Sequence, residues 1–338
     1  MECSVVIVSA LRTPITRAKK GGLAQACPED MLGQALKGVI EQSKIDPKLI
    51  QDIAVGNVLP PGGGATVARM AALWAGIPNT AAINTLNRQC SSGLATVNQI
   101  ANEIAMGQID IGIGAGVESM TQNYGAGVMP EKFSDAVMDN EEAADCLMPM
   151  GITSENVAKQ FGIDRKKQDD FAAKSYQKAF KAQADGKFKS EIVTVKYTDE
   201  DGNERTVDKD DGIRDGVTAE SLSKLKPAFA KDGSTHAGNA SQVSDGAAAV
   251  LLARRSVAKK LGLPIIGKFV TAAVIGVPPN VMGIGPAYAI PKVLELTGLS
   301  KEDVDIYEIN EAFASQAVYS IEKLGLDYAK VNPSGGGE

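Results

Sequence analysis

Cys90 is the residue whose type and setting offer chemistry most directly. Residues 82–86 read as a buried strand, and Ser91-Ser92-Gly93 leads into a helical pattern over 94–106. Cys90 therefore falls at a strand-to-helix turn. The unpaired N–H groups and the dipole at a helix N-terminus favour thiolate over thiol, and the thiolate is the form that attacks carbonyl carbon. A small buried core cysteine fits the same position. Cys3, Cys27 and Cys146 form no CxxC or His-paired spacing with it, and one histidine, His236, cannot build an ordinary zinc site, so no metal is expected. Free thiols in a reducing compartment suit this usage, although four cysteines also permit two bridges.

The elements that must hold Cys90 read as α/β. A short apolar run at 5–8 is followed by a helical pattern at 31–40. A β-branched run at 53–59 then ends in Pro60-Pro61-Gly62-Gly63-Gly64. The order recurs near the C-terminus, with a strand expected over 265–274, a helix over 286–296 and a second strand over 304–309. Residues 35–59 and 289–313 align without a gap. Ala35 meets Ala289, Val39 meets Val293, Glu41 meets Glu295 and Ile45 meets Leu299, while Asp46 meets Ser300 as a second N-cap. Two similar halves are the expected architecture.

Between them, residues 120–242 have a polar, turn-rich texture, with helices expected at 151–161 and 166–184. This stretch reads as a large insertion of the kind that carries function. The expected domains are 1–119 with 243–264, the insertion 120–242, and a second half 265–338. Residues 245–261 read as an alanine-rich run ending in a helix, with Arg254, Arg255, Lys259 and Lys260 toward its C-terminal end.

The chain has 338 residues and a formal net charge of -6, which gives no general attraction to nucleic acid phosphates. It shows no uninterrupted apolar stretch long enough to span a membrane and no leader pattern. An anionic ligand would have to meet local positive charge.

The run Asn87-Arg88-Gln89-Cys90-Ser91-Ser92-Gly93-Leu94 resembles the nucleophile motif of the thiolases. Further matches follow in family order: Gly116-Val117-Glu118-Ser119-Met120, then Met150-Gly151-Ile152-Thr153-Ser154-Glu155-Asn156-Val157, then Ala237-Gly238-Asn239-Ala240-Ser241. Met282-Gly283-Ile284-Gly285-Pro286 and Asn310-Glu311-Ala312-Phe313 complete them, so the resemblance covers essentially the whole chain. It implies a thiolase fold, two similar layered α/β halves of duplicated βαβ topology with an inserted loop domain.

The resemblance also implies an activity. In that family the cysteine attacks the 3-keto carbon of a 3-ketoacyl-CoA, acetyl-CoA leaves as a stabilised enolate, and the acyl group passes to a second CoA. Cys90 takes the nucleophile position, and Asn310 matches an asparagine that holds a water in an oxyanion site; a turn or cap asparagine is compatible with this. Arg214 and Ser221 match contacts to the nucleotide end of CoA, and Ala240 and Ser241 match the loop along its pantetheine arm. Met150, Met282 and Phe313 match apolar walls of the channel, positions that core filler would also occupy. Lys224 and Lys226 could add charge near the phosphates, or be solvated surface. CoA is expected as co-substrate, with no permanent cofactor, and a homodimer or homotetramer as the assembly.

Pro149 stands before Met150 where acetoacetyl-specific biosynthetic thiolases carry histidine, so the resemblance leans to the degradative, peroxisomal type of β-oxidation, without an import sequence. The biosynthetic acetoacetyl-CoA enzyme and a non-catalytic CoA- or acyl-binding module are the alternatives. After Val331-Asn332-Pro333-Ser334-Gly335-Gly336 the family continues through Gly-His-Pro and Cys-x-Gly motifs that supply an activating histidine and an acid–base cysteine. The expectation is an incomplete second half and weak or absent activity of these residues alone. His236 stands where the family commonly has threonine and reads as a solvated or ligand-contacting loop residue, not as a substitute base.

Overall fold

The computed structural model describes residues 4–125, 130 and 132–336; Cys3, named above, lies outside them. The chain divides into two compact units. One comprises 1–129, 189–212 and 243–270, the other 130–188, 213–242 and 271–338.

The first unit is a seven-stranded sheet covered on both faces. Its strands are β1 (Val5–Arg12), β2 (Thr16–Arg17), β3 (Asp52–Gly56), β4 (Ala82–Leu86), β5 (Ile111–Ser119), β8 (Ser244–Arg254) and β9 (Gly267–Lys268). A separate antiparallel hairpin is formed by β6 (Val195–Thr198) and β7 (Glu204–Val207). The order is β4-β3-β5-β8-β1-β9, with β2 on β8. The β3 strand pairs in parallel with β4 and β5, while β5–β8, β8–β1 and β1–β9 are antiparallel.

Alternation along the strands sorts their side chains to two faces. Val6, Val8, Ile53, Val55, Ile113 and Leu251 join Met31, Leu32, Leu36 and Val39 of α1 (Pro28–Ser43) and the alanines of α2 (Ala65–Trp74). Val5, Ala54 and Leu252, one residue out of phase, join Ile100, Ala101 and Ile104 of α3 (Ser92–Ala105). The periodic residues of α1 and α3 thus place these helices on opposite sides of the sheet.

Two expectations for this unit are corrected. The 82–86 strand forms at its expected position, but it is not buried: it pairs only with β3 among the described strands and its residues are half-buried or exposed. Arg254 and Arg255 do not lie toward the C-terminal end of the helix there: Arg254 closes β8 and N-caps the following helix, Arg255–Leu261, with its Nε 2.6 Å from Oδ1 of Asp110, and Lys259 and Lys260 fall in that helix's last turn.

The second unit is built from α4 (Met150–Phe161), α5 (Arg165–Ala184), α6 (Ala219–Ser223), α7 (Gly285–Thr297) and α8 (Ala314–Leu324). Ala314, Ala317, Val318 and Ile321 of α8 are central to a core that includes Val157, Phe171, Val281, Ile284, Tyr307, Ile309 and Val331.

The repeated helix–turn–strand plan is visible at matching positions. Asp46 N-caps a 3₁₀ turn at Pro47–Leu49, its side chain accepting from the Lys48 N–H at 3.0 Å; Ser300 N-caps Lys301–Asp303 through a capping box. Ile50 and Val304 both follow in extended conformation. The second copy departs in its strands. Of 265–274 only Gly267–Lys268 is a strand, where β1 offers a partner, and Ile266, Val270 and Val274 are exposed. Residues 304–309 make a single parallel bridge, Tyr307 to Val331. β-branched residues specify a pleated surface, but a ladder also needs a neighbouring backbone. Asn332 stands in for one: its Oδ1 accepts from the Ile309 N–H and its Nδ2 donates to the Ile309 carbonyl, each at 2.8 Å.

Candidate active site

Cys90 lies between β4 and α3, in a turn held by its neighbours' side chains. Asn87 Oδ1 accepts from the Gln89 N–H at 2.9 Å, and Asn87 Nδ2 donates to the Val58 carbonyl at 3.2 Å. Ser92 Oγ accepts from the Arg88 N–H at 2.8 Å and donates to the Gln89 carbonyl at 2.6 Å. The turn is tight enough to put Gln89 at φ +50°, a region non-glycine residues rarely enter and one that recurs at functional sites. Its approach to the sheet depends on glycine: a Cβ on Gly56 would lie 2.5 Å from the Ser92 carbonyl carbon, and one on Gly114 would lie 2.7 Å from the Val97 Cα. Small residues on β3 and β5 therefore set how far the start of α3 sits from the strands.

The result is an exposed Cys90, two residues before the first helical residue. A depressed thiol was the expectation from the helix terminus, and the structure reverses it. The protein around the sulfur withdraws enough water to push the thiol up, the charge of Glu118 adds to the rise, and only a backbone hydrogen bond within Cys90 opposes it. With its thiol raised, Cys90 depends on a proton acceptor to reach the attacking thiolate. Glu118 itself is fixed by the loop after β3, its carboxylate accepting from the Val58 N–H at 2.8 Å and the Leu59 N–H at 3.4 Å. Burial raises its carboxyl too.

The other residues assigned from the sequence fall in the second unit. Asn310 is exposed, directly after the buried Ile309 and before the buried Glu311. Glu311 accepts from Ser175 Oγ at 2.6 Å and from Asn332 Nδ2 at 2.5 Å, and burial raises its carboxyl. Two residues after Glu311, Phe313 is half-buried; its ring meets that of Phe229 edge to face at a centroid distance of 6.4 Å. Phe229 in turn fills the space over Gly151, where any Cβ would overlap the ring, beside the exposed Met150. Asn156 Nδ2 donates to the Asn280 carbonyl at 3.0 Å, fixing α4 to the 3₁₀ segment Pro279–Ile284 that carries the half-buried Met282. Met150, Phe313 and Met282 are thus carried by segments of one packed unit, with Phe229 as an aromatic member that sequence reasoning missed.

Ala240 bridges Phe313 in antiparallel fashion, and the Ser241 N–H donates to the Ala312 carbonyl at 3.0 Å. Residues 240–241 and 312–313 are therefore a single backbone-paired edge. Ser221 is exposed at the start of α6, but its hydroxyl is engaged in a capping box, donating to the Thr218 carbonyl at 2.8 Å and accepting from the Thr218 N–H at 3.1 Å. Arg214 is exposed. Lys224 pairs with Glu220 at 3.0 Å, on the exposed face of the same short helix.

The expectation of a solvated His236 is corrected. The residue is neither solvated nor on the surface, being 1% exposed. Its Nε2 lies 2.7 Å from Asp169 Oδ1, and its Nδ1 accepts from the Gly238 N–H at 3.0 Å. The second contact requires a bare Nδ1, which assigns the Nε2–H tautomer. With both ring nitrogens engaged, the one histidine is not available as a general base for Cys90.

These features converge with the comparisons to known proteins. The family model for the N-terminal domain of thiolase matches residues 5–256 and that for the C-terminal domain matches 263–337; the chain belongs to the thiolase family. It is 60% identical over 336 residues to the peroxisomal 3-ketoacyl-CoA thiolase of Yarrowia lipolytica, covering 98% of this chain and 81% of that protein. It is 55% identical over 336 residues to the peroxisomal 3-ketoacyl-CoA thiolase of Homo sapiens, covering 98% and 79%. In structure it matches the dimeric peroxisomal thiolase of Saccharomyces cerevisiae with a TM-score of 0.94 and 53% identity, over 100% of this chain and 86% of that one. The acetyl-CoA acetyltransferase of Bacillus anthracis matches with a TM-score of 0.89 and 36% identity, over 99% and 86%.

Proposed function

We propose that the protein is a 3-ketoacyl-CoA thiolase of peroxisomal fatty acid β-oxidation, cleaving its substrate to acetyl-CoA and a shortened acyl-CoA. The observation that carries this is the exposed Cys90 in its side-chain-braced turn, in a chain 60% identical to a relative named for that activity. The greater identity to the peroxisomal enzymes than to the acetyl-CoA acetyltransferase supports the degradative substrate class.

In this reading the Cys90 sulfur, once deprotonated, bonds to C3 of the substrate. The bond between C2 and C3 breaks, the departing acetyl-CoA enolate takes up a proton, and the thiol of a second CoA displaces the acyl group from sulfur. Asn310 positions a water toward the thioester oxygen, where charge develops. Residues 120–242, the inserted domain of this reading, bind CoA. Arg214 and Ser221 face its nucleotide end and Ala240 and Ser241 follow the pantetheine arm, while Met150, Met282 and Phe313 wall the channel. The working assembly is a homodimer, supported by the dimeric yeast neighbour, and CoA is a co-substrate, not a resident cofactor.

Thiolysis of acetoacetyl-CoA and of a longer 3-ketoacyl-CoA, with Cys90→Ala as control, tests the proposal. For residues 1–338 the expected result is at most weak turnover, favouring the longer substrate and lost in Cys90→Ala; turnover retained by Cys90→Ala overturns it.

A further inference from the structure

Asp169 and His236 form a buried pair that the chemistry above does not use. Asp169, on α5, is 2% exposed. Its Oδ1 accepts from His236 Nε2 at 2.7 Å and from Asn239 Nδ2 at 3.1 Å, and its Oδ2 accepts from Arg165 Nε at 2.7 Å. Each donor leads to a segment assigned to CoA. His236 and Asn239 are the ends of a closed turn: the His236 N–H donates to Asn239 Oδ1 at 2.8 Å, the Asn239 N–H to the His236 carbonyl at 3.1 Å, and the Gly238 N–H to His236 Nδ1. That turn runs directly into Ala240 and Ser241, and the Asn239 carbonyl accepts from the Ala314 N–H at 2.9 Å, beside Phe313. Arg165 Nη2 donates to the carbonyls of Leu222 and Leu225 at 2.8 and 2.9 Å, fixing the end of the helix that carries Ser221.

We propose that Asp169 and His236 are positioning residues for CoA: the carboxylate, through the histidine and Asn239, fixes the 237–241 loop and, through Arg165, the end of α6. The inference rests on the assignment of those segments to CoA. It gives His236 a function that depends on its charge. A proton on Nδ1 converts the acceptor of the Gly238 N–H into a second donor aimed at a donor, so the turn opens when the ring is protonated. The charged groups facing the ring are Asp169 and Arg165 of α5 and Glu155 of α4. Glu155 is itself occupied by the N–H groups of Ser234 and Thr235. Burial outweighs the Asp169 carboxylate and holds the imidazole below its ordinary range, so the closed form persists at neutral pH.

The test is calorimetric titration of CoA into the full chain, comparing wild type, His236→Ala and His236→Gln at about pH 7.5 and about pH 5.5, on either side of the ordinary histidine range. At the higher pH His236→Ala is expected to weaken CoA by about tenfold, the scale of one lost hydrogen bond. His236→Gln keeps a donor toward Asp169 and has nothing to titrate. It should bind closer to wild type at the higher pH and lose less affinity than wild type at the lower one; this difference cancels the titration of CoA's own phosphates. A folded His236→Ala with wild-type affinity, or a Gln variant that binds CoA no better than His236→Ala at the higher pH, overturns the inference while leaving the CoA site in place. Should His236→Ala fail to fold, the Gln comparison decides alone. Wild type that does not bind CoA at all overturns the site assignment and the inference with it.

Discussion

The imidazole Nε2 of His236 stands 2.7 Å from Oδ1 of Asp169, with both side chains buried, and this contact joins a loop to a helix across 67 residues of sequence. It makes the stability of the second unit depend on pH in a defined direction. His236 has a folded pKa below its ordinary 6.5, so the unfolded chain binds the proton first as pH falls. Above the ordinary value both states are neutral and the contribution is complete; below it, stability is lost progressively toward the depressed folded pKa. Urea denaturation of wild type at two pH values spanning that window should show a lower midpoint on the acidic side, with a smaller difference in His236→Gln. Equal differences in the two proteins would refute the assignment.

Removing the carboxylate at the centre of this network should cost more than removing any of its donors. Asp169→Ala leaves the His236 Nε2–H, the Asn239 amide and the Arg165 guanidinium without their shared acceptor. Breaking a buried pair by deleting one partner costs about 3 kcal/mol or more, because the stranded groups stay desolvated. Denaturant midpoints measure it; a loss under about 1 kcal/mol, the scale of a surface pair, would show the network to be incidental.

Gly56 sets the seat of the nucleophile turn. A methyl group there would press into the Ser92–Gly93 peptide, which is backbone and cannot rotate away. Gly56→Ala is expected to destabilise the first unit by about 2 kcal/mol, typical of overpacking, and to slow modification of Cys90 by displacing the start of α3. Circular dichroism melts and timed alkylation read the two effects separately. An unchanged melt with unchanged alkylation would mean the sheet and helix tolerate wider spacing.

Glu118 offers a handle on the thiol. Its charge helps hold the Cys90 pKa up, so Glu118→Gln should lower that pKa and speed alkylation of Cys90 at neutral pH by several-fold. Cys27 and Cys146 are also exposed, so the rate must be followed on the Cys90 peptide by mass spectrometry. A slower rate in the glutamine variant would mean that Glu118 acts mainly by bracing the Val58–Leu59 backbone.

What could be read from the sequence follows the range of the forces involved. Helices α1, α3, α4, α5 and α7 announced themselves by local periodicity, and the paired caps Asp46 and Ser300 lie one residue before their 3₁₀ turns, since capping is decided within a few residues. The placement of Cys90 between a strand and a helix was legible for the same reason. Its protonation was not, because water exclusion and the charge of Glu118 come from the folded surroundings and oppose what the nearby helix end alone suggests. His236 read as a solvated or ligand-contacting loop residue, and its burial was not legible because only the fold brings Asp169 to it. The partial strands at 265–274 and 304–309 have strand composition, but pairing depends on which backbone lies alongside, a relationship that no local pattern encodes.

The central claim is that Cys90 forms the covalent intermediate, and the most direct test is to incubate the chain with a 3-ketoacyl-CoA, quench in acid, and map the acylated peptide by mass spectrometry. The account predicts a shortened acyl group on the peptide containing Cys90, discharged on adding CoA and missing in Cys90→Ala. An acyl group carried instead by Cys27 or Cys146, or one that persists in Cys90→Ala, would contradict it.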